Sequence, residues 1–509
     1  MPLFFRRAKI QRGREIIPSA QITKNRTIFL GKRLTFAAMS RSKTRKIFEN
    51  IEILDAGAKG KSVAKAPDGK VIFINNAVPG DIATIQTLKS RKAYYEGTAI
   101  AFSKLSDRRT DPVCEHFGTC GGCKWQHMTY ASQLYFKQNE VENNLKRLGG
   151  IDLPEVSQII GSENPYFYRN KMEFSFSNQK WLTKAEIDKN STVENRNALG
   201  FHIPGMWDKI LDLNKCHLQA DPSNAIRNFV KEKADSMGLT FFNPRVQEGF
   251  LRTLMIRNST LGEIMVLLQF FFEDVTARET LLQTIKNAFP EITSLLYVIN
   301  TKANDTLYDQ EVHCFSGRDH IFESMEGLRF KINAKSFYQT NSKQAYTLYK
   351  VVRDFAQLSG DELVYDLYTG TGTIAQFLAK NASKVIGIEA VPDSIAAAKE
   401  NAALNGIANT HFFVGDMKTL FNDAFIEKHG RPDVVVTDPP RDGMHKDVVA
   451  QLIKLLPNKI VYVSCNSATQ ARDLSLLDPE YKATKIQPVD MFPQTHHVEN
   501  VVLLEKRIV

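Results

Sequence analysis

From about Lys331 onward, short β-type runs alternate with helix-length stretches, and this alternation restricts the fold of the 509-residue chain more than any other feature. Runs fall at Leu363–Tyr365, Val385–Ile388, His411–Phe413, Val434–Val436 and Ile460–Val463. The alanine-rich stretch Asp393–Leu404 reads as a helix stopped at Asn405-Gly406, a C-cap signal. Such alternation predicts an α/β fold, a parallel sheet with helices on its faces, because parallel neighbours need a crossover. Two later runs, Lys485–Met491 and Val498–Leu504, predict antiparallel strands at the sheet edge.

Ligands of open α/β sheets lie beyond the carboxyl ends of the strands. Each of the five runs is followed by a polar or reactive residue: Asp366, Glu389, Asp416, Asp438 and Cys465. One acid at a strand end is an ordinary turn former. Five in succession predict a built rim. The first turn, Asp366-Leu367-Tyr368-Thr369-Gly370-Thr371-Gly372-Thr373, has glycines that permit a tight strand-to-helix turn and close backbone approach to a ligand. Glu389 stands where an acid can accept hydrogen bonds from two ribose hydroxyls. The third glycine of a dinucleotide fingerprint is missing, since Ala375 and Gln376 occupy its neighbourhood, so a nucleoside ligand such as S-adenosylmethionine fits better than NAD. Asp438-Pro439-Pro440-Arg441 is a rigid turn in which arginine replaces the aromatic used in chemistry at base nitrogens.

Cys465 in Ser464-Cys465-Asn466 and Glu499 on the last strand can form a nucleophile and base facing one substrate. His496 and His497 have no ligand-spaced partners and are not read as a metal site. A second constellation is Cys114-x5-Cys120-Gly121-Gly122-Cys123, with Cys216 as a candidate fourth thiolate. Four thiolates suit zinc or an iron–sulfur cluster, and a close trio with one remote cysteine resembles cluster spacing more than paired zinc ribbons. Cys314 is left over and reads as a buried apolar residue.

Upstream, Ile51–Leu54, Val71–Ile74, Asp81–Leu88 and Glu96–Phe102, punctuated by Asp68-Gly69 and Pro79-Gly80, predict a small closed β-barrel. Its lysines, with Tyr94 and Tyr95, make a surface suited to single-stranded RNA. Between barrel and sheet, strand-like stretches (Tyr166–Phe176, Leu251–Asn258, Glu263–Phe272, Leu295–Asn300) mix with helix-like Tyr130–Leu148 and Asn224–Met237, an α+β pattern.

Composition narrows the class. Hydrophobic residues at 43% and charged residues at 24% exclude a wholly disordered chain, and no apolar run is long enough to span a bilayer. Six cysteines are too few for a disulfide-stapled secreted scaffold, and the chain is expected to be cytoplasmic. The net charge of +10 is a poor guide to RNA binding, because residues 1–38 hold nine Lys/Arg against the single Glu15 and leave only +2 for the remainder. That leader reads as an RNA-gripping arm, as a transit-like segment, or as residues preceding a start at Met39.

These motifs together resemble the S-adenosylmethionine-dependent RNA uracil-5-methyltransferases, and within them the large-subunit (23S) ribosomal RNA branch, which carries a TRAM domain and a [4Fe-4S] cluster. The resemblance covers about Ile47 to Val509 and rests on Ala77-Val78-Pro79-Gly80-Asp81, the four cysteines, Phe337-Tyr338-Gln339-Thr340-Asn341, Asp366-Leu367-Tyr368, Asp438-Pro439-Pro440-Arg441, Ser464-Cys465-Asn466 and the closing run to Glu499. It implies a leader over 1–46, an OB-like TRAM barrel over 47–104, a cluster-bearing α+β domain over 105–330 and a Rossmann-like methyltransferase domain over 331–509. It implies cofactor contacts from Gln339, Asp366, Tyr368, Gly370, Gly372, Glu389, Asp416 and Asp438, and cluster ligation by Cys114, Cys120, Cys123 and Cys216. Cys465 becomes the nucleophile and Glu499 the base, acting on a uridine of 23S ribosomal RNA, with Phe337 helping to hold the base. The basic residues of Tyr168-Arg169-Asn170-Lys171 are candidates to grip phosphates. A monomer without an obligatory protein partner is expected. The family's proline after Ser-Cys-Asn is Ser467 here, which predicts a change in loop stiffness. Other readings are a tRNA uracil-5-methyltransferase, a catalytically idle RNA-binding or assembly factor and a base-nitrogen methyltransferase.

Overall fold

The computed structural model describes residues 45–188 and 195–508, so the expectations for the leader fall outside the described residues. Residues from Arg45 onward form one compact unit. Its first part is a closed five-stranded barrel of Ile47–Ala56, Ser62–Lys65, Val71–Asn75, Ile82–Ser90 and Tyr94–Lys104. Alternate residues (Ile51 and Ile53, Ile72 and Ile74, Ala83 and Ile85) point inward, as the two-residue period of a strand requires. Asp81 is fully buried where the turn Pro79-Gly80 meets the barrel exit. It accepts hydrogen bonds from the backbone N–H groups of Val78 (2.7 Å) and Ser106 (2.9 Å) and pairs with Arg109 at 2.7 Å.

A seven-stranded mixed sheet follows, in the spatial order His313–Gly317, Ser294–Ile299, Ile264–Phe270, Leu251–Asn258, Lys171–Ser177, Ala198–Ile203, Met206–Asp212. The expected strand at Tyr166 starts only at Lys171, because Phe167 is left-handed (φ 55°) and the Arg169 N–H pairs with a loop carbonyl, Leu218. The hairpin Ala198–Ile203/Met206–Asp212, closed by Pro204-Gly205, has no counterpart in the sequence reading. Cys314 corrects an expectation: it is exposed, because its strand forms the free edge of this sheet.

The last sheet runs Thr410–Val414, Lys384–Glu389, Leu363–Leu367, Val434–Thr437, Lys459–Ser464, Glu499–Lys506, Tyr481–Val489. Its first five strands are parallel and are the five expected from the alternation. Val434–Thr437 is buried at every residue, as expected of strands covered on both faces. Strand order reverses between Leu363–Leu367 and Val434–Thr437, which opens the ligand crevice there. The two closing strands are antiparallel as expected, but Glu499–Lys506 inserts beside Lys459–Ser464 and leaves Tyr481–Val489 at the edge.

The helix Tyr130–Asn144 joins these parts through a buried polar face. Lys137 and Asp490, both with fully buried side chains, pair at 2.5 Å, and the Tyr130 hydroxyl donates to the other Asp490 oxygen at 2.9 Å. Gln133 exchanges two 2.9 Å hydrogen bonds with Gln494. Removing one partner of such a buried pair costs about 3–5 kcal/mol. Among the described residues no helix is long and apolar enough to cross a membrane.

Candidate active site at the carboxyl rim of the last sheet

Strand register explains how distant residues meet. Ser464 pairs with Asn500 across the antiparallel join, which sets Cys465 abreast of Glu499 at the next position. Thr437 pairs with Tyr462 on the parallel side, so Asp438 emerges beside them. Cys465 is half-buried, whereas Glu499 is only 7% exposed. Burial, then the nearby Glu499 and Asp438, push the Cys465 thiol up to about 11, while the Arg441 cation opposes them. Burial raises Asp438 to about 7. Burial and Asp438 lift Glu499 well above the carboxylate range, again against Arg441. The Arg441 carbonyl is clamped beside the thiol by the Asn466 amide (3.0 Å) and the Thr469 hydroxyl (3.1 Å).

Asn466 caps the helix Ser467–Leu477 by accepting from the Ala468 N–H. Ser467 is buried and accepts a 2.9 Å hydrogen bond from Asn144. A hydrogen bond to the end of the Tyr130 helix thus anchors the loop at the position where proline is missing.

The glycine turn sits one strand away. Asp366 is buried beneath it rather than open to the crevice, accepting from the Thr369 hydroxyl (2.5 Å) and the Ala375 N–H (3.1 Å), and burial raises it to about 7. Tyr368 (φ 63°), Gly370 (φ 57°) and Gly372 (φ 73°) are all left-handed, and a Cβ at Gly372 would stand 2.8 Å from Phe412. Glu389 is half-buried and accepts from the N–H groups of Gly370 (3.3 Å) and Val391 (3.0 Å). Asp416 is exposed and caps the short helix after its strand by accepting from the Lys418 N–H.

Gln339 is half-buried in the segment leading to the helix Ser342–Ala356. Asn170 holds this segment, donating to the Gln339 carbonyl and the Ser342 hydroxyl at 2.8 Å each, and its own N–H bonds to the Thr340 carbonyl. The Tyr168 hydroxyl donates to the Pro493 carbonyl at 2.9 Å, and Lys171 pairs with Glu173 at 2.6 Å. The Arg169 guanidinium donates to the Thr340 hydroxyl at 3.4 Å, so all four residues of Tyr168-Arg169-Asn170-Lys171 are engaged within the protein. Phe337 is 63% exposed beside the turn, its carbonyl accepting from Thr371.

Sequence reasoning missed two supports of this site. Tyr349 is buried within the fields of Asp438, Asp366 and Glu499, and burial first and then these acids raise its hydroxyl, against the opposing influence of Thr373. Tyr130, Gln133 and Lys137 hold the Asp490–Gln494 loop that leads to Glu499. Their helical spacing, three polar side chains on one face, was the available signal. The His496 and His497 rings lie 4.1 Å apart, tilted by 36°, and burial lowers them to about 3 and about 4.

Away from the rim, Cys114, Cys120, Cys123 and Cys216 line one cavity of about 380 Å³ together with Arg169 and Thr340. Burial pushes Cys120 to about 11 and Cys123 to about 12. Nearby N–H groups oppose the effect of burial: His116 and Phe117 for Cys114, Gly122 for Cys120, Leu218 and Gln219 for Cys216, and the Gln126 side chain for Cys123. Among the described residues no group of three or more His, Cys, Asp or Glu is arranged to hold a metal ion.

Comparisons with known proteins agree with this layout. Residues 318–507 match the tRNA (uracil-5-)-methyltransferase family model, and residues 46–100 match the TRAM domain. The chain is 56% identical to an RNA methyltransferase of Bacteroides thetaiotaomicron over 88% of its own length and all of that protein's. It is 38% identical to one from Chlorobaculum tepidum over 90% of its own length and 96% of that protein's. Both relatives are themselves uncharacterized. A solved structure of the Pyrococcus abyssi tRNA (uracil-54, C5)-methyltransferase in complex with S-adenosyl-L-homocysteine matches with a TM-score of 0.69 at 26% identity, covering 89% of this chain and all of that one. The chain belongs to the S-adenosylmethionine-dependent RNA (uracil-5-)-methyltransferase family, with a TRAM domain ahead of its methyltransferase fold.

Proposed function

We propose that the protein methylates carbon 5 of a uridine in 23S ribosomal RNA through a covalent adduct between Cys465 and carbon 6. The observation that carries this reading is the register setting Cys465 abreast of Glu499, with Asp438 and Arg441 beside them. Carbon 5 of uracil is a poor nucleophile. Addition of the Cys465 sulfur at carbon 6, with loss of the thiol proton, makes the ring an enolate whose carbon 5 can accept a methyl group. Bound S-adenosylmethionine supplies that group as a sulfonium and leaves as the thioether. Glu499 then takes the carbon 5 proton, the ring double bond re-forms, and the Cys465–carbon 6 bond breaks to return the thiolate. Asp438, raised by burial to about 7, can carry a proton near neutrality and donate a hydrogen bond to the developing enolate, which leaves Glu499 free to act as the base. Arg441 favours the thiolate. A base must leave its stack to reach this rim, at a cost of a few kcal/mol, roughly.

Gln339, Tyr368, Gly370, Gly372, Glu389 and Asp416 surround the place for the adenosyl group in this reading, with Glu389 on the ribose. Asp366 acts one step removed, by shaping the turn. The four cysteines are not drawn together around a metal position; their shared cavity is the ground on which Cys114, Cys120, Cys123 and Cys216 are proposed as holders of a [4Fe-4S] cluster. Such a group would supply structural cross-linking, since methyl transfer has no electron-transfer step.

Comparing methylated uridines in ribosomal RNA with and without the gene tests the substrate; loss of one 5-methyluridine from the large-subunit RNA is expected. RNA containing 5-fluorouridine should trap the Cys465 adduct, because fluorine cannot leave as a cation. A tRNA substrate is the second reading, favoured because the Pyrococcus tRNA enzyme matches over 89% of the chain. Loss of a tRNA 5-methyluridine instead would select it. Methylation at a ring nitrogen, or RNA binding without methyl incorporation, would reject both.

A further inference from the structure

The hairpin Ala198–Ile203/Met206–Asp212 ends in an exposed aromatic that the proposed reaction does not use: Trp207 is 61% exposed and Met206 42%. They border an open groove of about 790 Å³ shared with Phe201, Pro204 and the loop from Cys120 to Lys124. Lys124 is the lone formal charge among the described residues lining it, with no carboxylate to oppose it. A flat indole beside an unopposed cation suits a nucleobase next to its phosphate, because every base has a face to stack and every linkage a negative charge.

A chain of contacts links the wall of the groove to the rim. A Cβ at Gly121 (φ 77°) would stand 2.2 Å from Pro204, so this glycine lets the cysteine loop press against the hairpin tip. At the other end of the loop the Lys124 N–H donates to the Gln494 carbonyl at 2.8 Å. The Lys124 side chain reaches the barrel loop at Gly60, which also neighbours His496. His496 lies in the field of Arg441, the cation beside Cys465 and Glu499.

We propose that the hairpin tip is an RNA-docking platform: a single-stranded part of the substrate outside the target nucleotide stacks a base on Trp207 and sets a phosphate on Lys124, extending the RNA path from the rim across the cysteine loop. The inference rests on RNA being the substrate.

Binding of a labelled oligouridylate of about 16 nucleotides to the full-length protein tests it, alongside methyl transfer to a large-subunit ribosomal RNA transcript. Trp207→Ala should weaken oligonucleotide binding about tenfold while Trp207→Phe stays within about twofold, because a phenyl face still stacks. Lys124→Gln should lower the slope of log affinity against log salt by about 0.7, the share of one phosphate contact on a single strand. S-adenosylmethionine affinity and thermal midpoint should not move. Unchanged RNA affinity in Trp207→Ala overturns the platform. So does a loss shared with cofactor binding or stability, or a change confined to self-association. Tight binding by the parent protein that Trp207→Ala weakens, without any methyl transfer, supports the platform and rejects the catalytic reading. Normal methyl transfer with no Trp207 effect does the reverse.

Discussion

Half-buried thiols in two places in this protein differ in what surrounds them. At the rim, Cys465 stands at a strand end facing two carboxylates and one arginine, which in the proposed reaction would set the direction and fate of a proton. In the cavity, Cys114, Cys120, Cys123 and Cys216 lie on loops with N–H groups nearby. Burial raises the thiols in both places. The contrast teaches that carboxylates beside a thiol favour proton transfer during catalysis, whereas nearby N–H groups favour a lasting thiolate bound to something electropositive.

Substitutions can break this contrast. The largest effect is expected for Cys465→Ala, which should lower methyl incorporation by about 10⁴-fold or more, as loss of a covalent nucleophile does, while calorimetric cofactor affinity persists. Near-normal turnover would remove the adduct from the mechanism. Glu499→Gln is expected to slow turnover by about 10²- to 10⁴-fold and to accumulate methylated RNA joined to protein, visible as a slow band on denaturing gels. Cys216→Ser sharpens the other side: iron content and absorbance near about 400 nm should fall, while cofactor affinity changes far less than RNA methylation does on losing Cys465. A colourless parent protein containing stoichiometric zinc would replace the cluster assignment.

The smallest effect is a shift in pH dependence. With the thiol near about 11 and Glu499 also raised, both reactive anions grow as pH rises, so log kcat/KM should climb between about pH 6 and 9. Arg441 favours both anions. Arg441→Gln should move that climb upward by about one pH unit; an unmoved profile would mean that the arginine does not tune the pair.

Legibility from sequence followed the range of the interactions. Four of the five parallel strands were readable because strands buried on both faces are continuously apolar, and their ends located Asp366, Glu389, Asp438 and Cys465; the fifth, the partly exposed edge strand Thr410–Val414, was readable from its place in the alternation. Asp366 shows the limit: its place in the chain was plain, but its burial beneath Thr369 and Ala375 depends on how the turn closes. Asn170 holding Gln339, and Lys137 holding Asp490, are pairings between residues 169 and 353 positions apart, which no local pattern encodes. The hairpin bearing Trp207 escaped notice because its runs are short and the turn lacks the Asn-Gly or Asp-Gly signal.

The barrel is fastened to the catalytic rim rather than hung from it. The Trp125 indole donates to Gly60 of the barrel, while the Trp125 N–H and the adjoining Lys124 N–H both meet Gln494, five residues before Glu499. A module tied this way acts as a gauge of fixed span. On the proposed function, selection of one uridine among many would then be partly a matter of measured distance, with an RNA whose anchor and target are differently spaced refused without any base being misread.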